Sequence, residues 1–441
     1  MTTACATTTS RVGVAPNARS DITAALGVAD LSDAYLFGGS GNDWVRDIVC
    51  DSDGCALFGF TMGGVGGGMD FLAVAEAPDG TVRWAKTYGG TYRSMLRTAV
   101  RARDGGYLLV GTSESRFTTS LKAMAPSRPA RPFLVKIDAA GEPRWAETLD
   151  PGGVREFYRG VAVAGGHVLV GYAEVADVPR IAAMKVSDAG EVVWAYAYAT
   201  DTPTWGVDVA VRENGEIVIA GSTGTSDGKQ AVDALVVTLG PDGAVRRARQ
   251  YHSPSAKLEV VPVVVGKGRE VIVAGTARAD GGQQVFVLKL GGDGRPVWSR
   301  RYAWPKAAVV SRAVRGHYRD VVVVGRMADA GAPADAVAML LDERGQIKAS
   351  TVVAGPRNDE FMTAVPWADG RYRLVGDTES FGTARFDFLS AMWTPQHEAG
   401  FTATDLRITM TDVRARAVAL GRATTRVEPS LLEVKTLGNA P

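Results

Sequence analysis

Apolar residues along this chain cluster in short runs, and the runs are cut by turns rich in Gly and Asp. Helical spacing is absent between them. The second copy of the pattern shows one full unit. Leu96–Arg101 reads as a short strand ended by the turn Arg103-Asp104-Gly105-Gly106. Tyr107–Ser113 is a second strand, and a variable loop follows as far as Pro132. Phe133–Asp138 is a third, Ala139-Ala140-Gly141-Glu142 turns the chain, and Pro143–Leu149 is a fourth. Four short antiparallel strands joined by tight turns form one blade of a β-propeller.

The unit recurs. Leu57-Phe58-Gly59 returns as Leu109-Val110-Gly111, Leu169-Val170-Gly171, Ile219-Ala220-Gly221, Val273-Ala274-Gly275, Val323-Val324-Gly325 and Leu374-Val375-Gly376. The anchor glycines at 59, 111, 171, 221, 275, 325 and 376 are separated by 52, 60, 50, 54, 50 and 51 residues. Such a period is the signature of a repeat architecture. The expected fold is therefore all-β, a seven-bladed β-propeller of four-stranded antiparallel blades. Asp33–Gly39 resembles the end of the fourth strand, Trp84–Gly90, without the three strands that should precede it. The last copy has three strands, Phe361–Val365, Tyr372–Gly376 and Phe386–Met392. The N-terminal strand is expected to complete that last blade and remove its open edge. Three segments follow: an N-terminal tail 1–30 with a short helical turn at Asp21–Leu26, the propeller 31–396, and a small C-terminal β extension 397–441. The extension alternates at Leu406–Met410 and Leu431–Lys435 and reads as an appendage, a cover for the last blade, or a source of its outer strand.

A tryptophan follows the turn glycine by four residues at Trp84, Trp145, Trp194 and Trp298; Arg247 and Ala349 stand in its place in two blades. An aromatic at one fixed place per blade most simply fills the wedge between blades. The motif Asp138-Ala139-Ala140-Gly141-Glu142-Pro143-Arg144-Trp145 resembles the repeat of quinoprotein-like (PQQ-like) propellers. With Trp84–Gly90 and Asp104–Ser113 it is similar to a widespread class of bacterial and archaeal propeller repeats, over roughly residues 30–395. The resemblance implies the fold and leaves function undefined; many such proteins are envelope or secreted. Quinone-dependent members often carry an adjacent Cys-Cys pair. This chain has none, so no cofactor is expected.

Composition narrows the partners. With 49 basic and 48 acidic side chains the formal net charge is +1, so no global field favours nucleic acid. No apolar run is long enough for a membrane span. The first ten residues lack a basic stretch followed by an apolar core. The chain is thus expected in the cytoplasm if complete, and outside the cell or on its surface if mature.

Candidate chemistry is sparse. Cys50 and Cys55 flank a hairpin turn and are disulfide candidates, or a pair of reduced thiols. Four histidines, at 167, 252, 317 and 397, have no metal-binding spacing, and no metal site is expected. The Asp51-Ser52-Asp53-Gly54 stretch lacks the later ligands of a calcium loop. The glycine-rich run 63–68 has no Lys-Ser/Thr after it. Counted from the anchor glycines, Arg46, Arg97, Arg159 and Arg312 fall near one height on the channel-lining strands, with Asp208 taking that place in the fourth blade. Four guanidinium groups round one mouth would hold an anion or an acidic peptide. Alternatively they pair with Asp47, Asp208 or backbone carbonyls, or simply sit in solvent. The insertion 115–132, basic and carrying Phe117, Lys122, Arg128 and Arg131, is either a docking arm or a solvated loop. The expected function is a non-catalytic binding platform for a protein or surface polymer. An enzyme, lyase or hydrolase, with an anionic-substrate site at the mouth is one alternative; a structural subunit of a surface assembly is the other.

Overall fold

The computed structural model describes residues 20–38, 41–62, 68–90, 92–114, 130–150, 152–225, 231–265, 270–279, 282–382, 385–396, 401–420, 423–427 and 433–436. Seven antiparallel sheets stand in a ring. Their inner strands, which line the channel, are Asp43–Asp51, Ser94–Arg101, Val154–Val163, Thr204–Val211, Lys257–Val265, Ala307–Arg315 and Asp359–Pro366, in blades 1 to 7. The outer strands of blades 1 to 6 are Val82–Gly89, Pro143–Asp150, Val192–Ala199, Val245–His252, Pro296–Ala303 and Ile347–Val353. In blade 7 the outer strand is Leu31–Phe37, which pairs with Asp387–Trp393. The N-terminal strand thus closes the ring, as its truncated repeat predicts. The seven buried apolar clusters each span adjoining blades; one joins Phe71 of blade 1 to Leu96, Leu109 and Phe133 of blade 2.

The anchor glycine has a steric cause. In every blade the inner strand carries an extra residue just after the one that pairs with this glycine. In blade 1, Val45 pairs with Gly59 and Asp47 with Phe58, leaving Arg46 over. In blade 2 the residue left over is Arg97. Tyr158, Val207, Ser311 and Met362 stand there in blades 3, 4, 6 and 7, and blade 5 skips two residues. The bulge drives the inner strand onto its neighbour. A Cβ built on Gly111 would stand 2.0 Å from the Met95 carbonyl oxygen, and one on Gly376 would stand 1.8 Å from that of Glu360. No side chain fits.

From blade 1 to blade 6, adjacent blades are joined by one repeated contact. The indole N–H groups of Trp84, Trp145, Trp194 and Trp298 donate to carbonyls of Ala139, Asp188, Pro241 and Glu343, each in the next blade's last turn. Tyr88, Tyr198, Tyr251 and Tyr302 add hydroxyl bonds to Gly141, Gly243, Gly294 and Gly345 in the same turns. The recurring Trp is thus a packing and bridging residue. Arg247 makes the same bond to Asp293 with a guanidinium, so its departure from Trp preserves the contact.

At the seam between blades 7 and 1 the bridge is ionic. Glu76 of blade 1 is fully buried; it pairs with Arg373 of blade 7 and accepts the Tyr35 hydroxyl of the closing strand at 3.0 Å. Arg373 lies over the rings of Tyr35 and Trp367.

The C-terminal tail departs from expectation. Its described residues neither form an appendage nor cover blade 7. It runs backward around the outside of the ring. Thr402–Asp405, Thr409–Asp412, Arg416–Ala419, Ala423–Arg426 and Glu433–Thr436 add a fifth strand to blades 5, 4, 3, 2 and 1 in turn. Leu406, Val413, Leu420 and Val427 recur at every seventh position, and each donates its N–H to an outer strand. Alternation marks a strand but does not say which edge it joins; that is decided by the spacing between blades. Ser20–Asp21 similarly flanks blade 7, followed by the helical turn Thr23–Leu26. Among the described residues no helix is long and apolar enough to cross a membrane.

Gly111→Ala should lower stability by about 3 kcal/mol or more, read from urea midpoints. Glu76→Gln removes the charge against which Arg373 is buried, at a cost of about 3–5 kcal/mol. Its melting temperature should fall well below that of an exposed control such as Glu191→Gln.

Candidate functional site at the channel mouth

The four predicted arginines do reach the channel, but on two tiers. Arg46 and Arg97 are bulge residues at the mouth, the end where the inner strands begin. Arg159 and Arg312 stand one position deeper, level with Asp47, Thr98 and Asp208. On the deeper tier Arg312 reaches past blade 7 to Asp47, at 2.9 Å. Asp47 also accepts the Thr98 hydroxyl at 2.8 Å. Arg159 donates to the Arg97 carbonyl at 3.0 Å. Burial and then the Arg312 charge pull Arg159 down to about 10, so it stays charged at neutral pH. Burial would lower Arg312 too, but the charges of Asp47 and Asp208 raise it. Two arginines and two aspartates thus neutralise one another across the channel.

The mouth tier is also paired. Arg97 pairs with Glu156 and lies over the Tyr158 ring. Tyr158 and Tyr172 stack at 6.1 Å. Arg46 pairs with Asp377 of blade 7 at 3.2 Å. A free arginine ring is therefore not what the fold builds: each of the four has a carboxylate or carbonyl partner.

Beside Arg46 the seam opens into a groove of about 320 Å³ lined by Trp44, Arg46, Arg326, Asn358, Asp359, Glu360, Met362, Asp377 and Phe386. One wall is aromatic. Half-buried Trp44 lies 5.0 Å from Phe60 and 5.6 Å from Phe386. The Phe386 backbone is tied to blade 1 by its carbonyl, which accepts the Asp43 N–H at 2.7 Å, and by its N–H, which donates to Asn42. The facing wall is charged. Glu360 and Asp377 sit directly opposite each other on the two inner strands of blade 7. Ser311 donates to Glu360, and Arg326 lies 3.5 Å from it. Asp377 accepts the Val45 N–H at 2.7 Å. Burial raises the Asp377 carboxyl to about 7; the Glu360 charge adds to this, while Arg46 and the Val45 N–H oppose it. Asp359 is also pushed up, chiefly by burial, against hydroxyl bonds from Thr378 and Ser380.

Of the insertion residues, Phe117, Lys122 and Arg128 lie outside the described residues; Arg131 begins the third strand of blade 2, 3.6 Å from Asp150. Cys50 and Cys55 are directly paired across the inner hairpin of blade 1 and form a disulfide. His167, His252 and His317 stay in separate blades, and His397 is outside the described residues. Among the described residues no three His, Cys, Asp or Glu side chains are grouped to hold a metal ion.

Sequence reasoning found Arg46 but not its companions. A usable signal existed. The residue after each anchor glycine reads Phe60, Thr112, Tyr172, Ser222, Thr276, Arg326 and Asp377. The charged departures are the two groove residues.

No protein-family model matches the chain, and no curated protein matches it. Among solved structures it is similar to the polysaccharide lyase Uly1, at 9% identity over 79% of this chain and 89% of that one, with a TM-score of 0.44. An apocarotenoid oxygenase mutant of Synechocystis gives 11% identity over 85% and 96% of the two chains, with a TM-score of 0.36. A puromycin hydrolase gives 13% over 82% and 61%, with a TM-score of 0.31. Identity and score are too low for any of these activities to pass to this chain. The fold defines the class, a seven-bladed β-propeller.

The folded state holds the Asp377 proton more tightly than the unfolded chain, in which the carboxyl titrates near its ordinary value of 3.8. The favourable contribution is therefore present below that value and lost as pH rises through about 7. Asp377→Asn should be more stable relative to wild type at mildly alkaline than at mildly acidic pH. Melting curves across that interval check this; a constant difference between the two proteins refutes it.

Proposed function

We propose that the protein is a binding platform whose channel mouth takes a surface carbohydrate polymer, with no reaction performed on it. The observation that carries this reading is the groove at the seam of blades 7 and 1. Trp44 and Phe386 offer flat apolar faces, and Arg46, Arg326, Glu360 and Asp377 surround them with fixed donors and acceptors. Sugar rings present an apolar face and a rim of hydroxyls, which suits an aromatic wall flanked by paired charges. The Tyr158–Tyr172 stack, with Arg97 above it, repeats the combination on blade 3. A second aromatic station on the same mouth favours an extended chain over a small molecule. The Cys50–Cys55 disulfide supports a location outside the reducing cytoplasm, where such polymers occur.

An anionic-substrate site made of four unpaired arginines is not supported, because Asp47, Glu156 and Asp377 neutralise three of them and a carbonyl holds the fourth.

Affinity electrophoresis through gels carrying polysaccharides tests the reading. Trp44→Ala should weaken retardation about tenfold or more, in line with loss of an aromatic anchor, while the melting temperature changes little. Unchanged retardation of Trp44→Ala on every polymer that slows the wild type would refute it.

A further inference from the structure

We infer that the mouth groove is a proton-gated site for a carboxylate-bearing glycan: protonated Asp377 leaves Arg46 for the ligand's carboxylate, and ionised Asp377 takes Arg46 for itself. The inference rests on the carbohydrate reading above and specifies the ligand class and its control.

The geometry makes Arg46 the contested group. Its Nη1 donates to the Val45 carbonyl at 2.7 Å and to Asp377 Oδ2 at 3.2 Å, and its guanidinium lies 4.9 Å from the Phe60 ring centroid. It therefore sits at the foot of the aromatic wall. A sugar laid against Trp44 and Phe386 would bring a ring carboxylate to the guanidinium, which binds carboxylates through two parallel N–H bonds. Asp377 is the internal competitor for those bonds. Its other oxygen is fixed by the Val45 N–H, so it cannot swing away.

The surrounding charges set the gate. From blade 1 the facing charge is Arg46; Phe60, beside it, is neutral. From blade 7's inner strand come Glu360 and Asp359, and beyond Glu360 stands Arg326 of blade 6. On the strand to the other side, Phe388 is opposite Asp377. Asp387 lies one step along, beside Gly38 and Gly382. Among the described residues the groove lining thus holds two arginines and three carboxylates. Fully ionised it carries one net negative charge and repels a polyanion; one proton on Asp377 removes that charge. Two carboxylates directly opposite each other on neighbouring strands disfavour joint ionisation. Burial places the transition close to neutrality. A glycan carboxylate, far more acidic, stays charged throughout.

The test measures binding of polygalacturonate and of its fully methyl-esterified form by isothermal calorimetry at constant ionic strength, at about pH 5.5 and about pH 8.5. At the higher pH roughly one site in thirty carries the proton, so affinity for the free acid should drop by about tenfold or more. The ester, with no charge, should bind alike at both. Asp377→Asn should bind the free acid at the wild-type acidic level at either pH. Glu360→Gln should move the midpoint to lower pH, because the opposing charge that favours the protonated form is gone. Arg46→Ala should bring the free acid down to the affinity of the ester. Melting curves confirm that each variant is folded. A wild-type pH profile retained by Asp377→Asn, or tighter binding of the free acid at the alkaline end, overturns the inference. If the ester binds through Trp44 while the free acid shows no pH step, the gate fails and the carbohydrate reading stands. If neither polymer binds, the gate inference falls, and the carbohydrate reading stands or falls on the retardation test of Trp44→Ala.

Discussion

The bulge opposite the anchor glycine is the constraint on which the rest depends. Each blade must bring its inner strand close to the channel axis and turn a side chain into it. The extra residue does both, and it presses a backbone carbonyl onto the neighbouring strand where a Cβ would stand 1.8 to 2.1 Å away. Glycine alone tolerates that approach. The glycine is thus conserved across the seven units for packing, while the bulge residue beside it is free to vary. This freedom yields Arg46, Arg97, Tyr158, Val207, Ser311 and Met362 in six of the blades. The repeat supplies a fixed frame and a variable ring of mouth residues from the same geometric device.

Ring closure and the candidate site share one seam. Blade 7 is assembled from both ends of the propeller, so its junction with blade 1 brings together strands distant in sequence. At one end of that junction Glu76, Arg373 and Tyr35 form a buried network. At the other, Arg46 and Asp377 meet in the groove. The regular Trp and Tyr bridges to turn carbonyls serve the junctions from blade 1 to blade 6. Where the ring is sealed by charged groups instead, it gains an opening lined by them. The outer belt adds a further restraint, since its short strands tie five consecutive blades to one segment of chain.

The architecture was legible because it is written seven times. Turn glycines, alternating strands and the truncated copy at Asp33–Gly39 gave blade count and closure. The site was legible only in part. Arg46 and Arg97 were visible as polar residues on inner strands, but the bulge shifts register, so a count from the glycine merged two tiers into one. Their partners escaped because Asp377 and Glu156 lie on other blades, 331 and 59 residues away from the arginine they serve. The belt escaped for a related reason: a four-residue strand with Thr and Asp carries too little pattern to name its partner.

Taken alone, the sequence determined the unit, the number of units and the means of closing the ring, since local turn chemistry and alternation act over a few residues and simply repeat. Tertiary structure decided how the charges balance. Whether an arginine is free depends on which carboxylate the ring brings opposite it, and that is a property of blade neighbours and burial rather than of spacing along the chain. The same holds for Asp377, whose raised proton affinity comes from burial and the Glu360 charge, against Arg46 and the Val45 N–H. An aspartate after a glycine looks ordinary until the first and last blades meet around it.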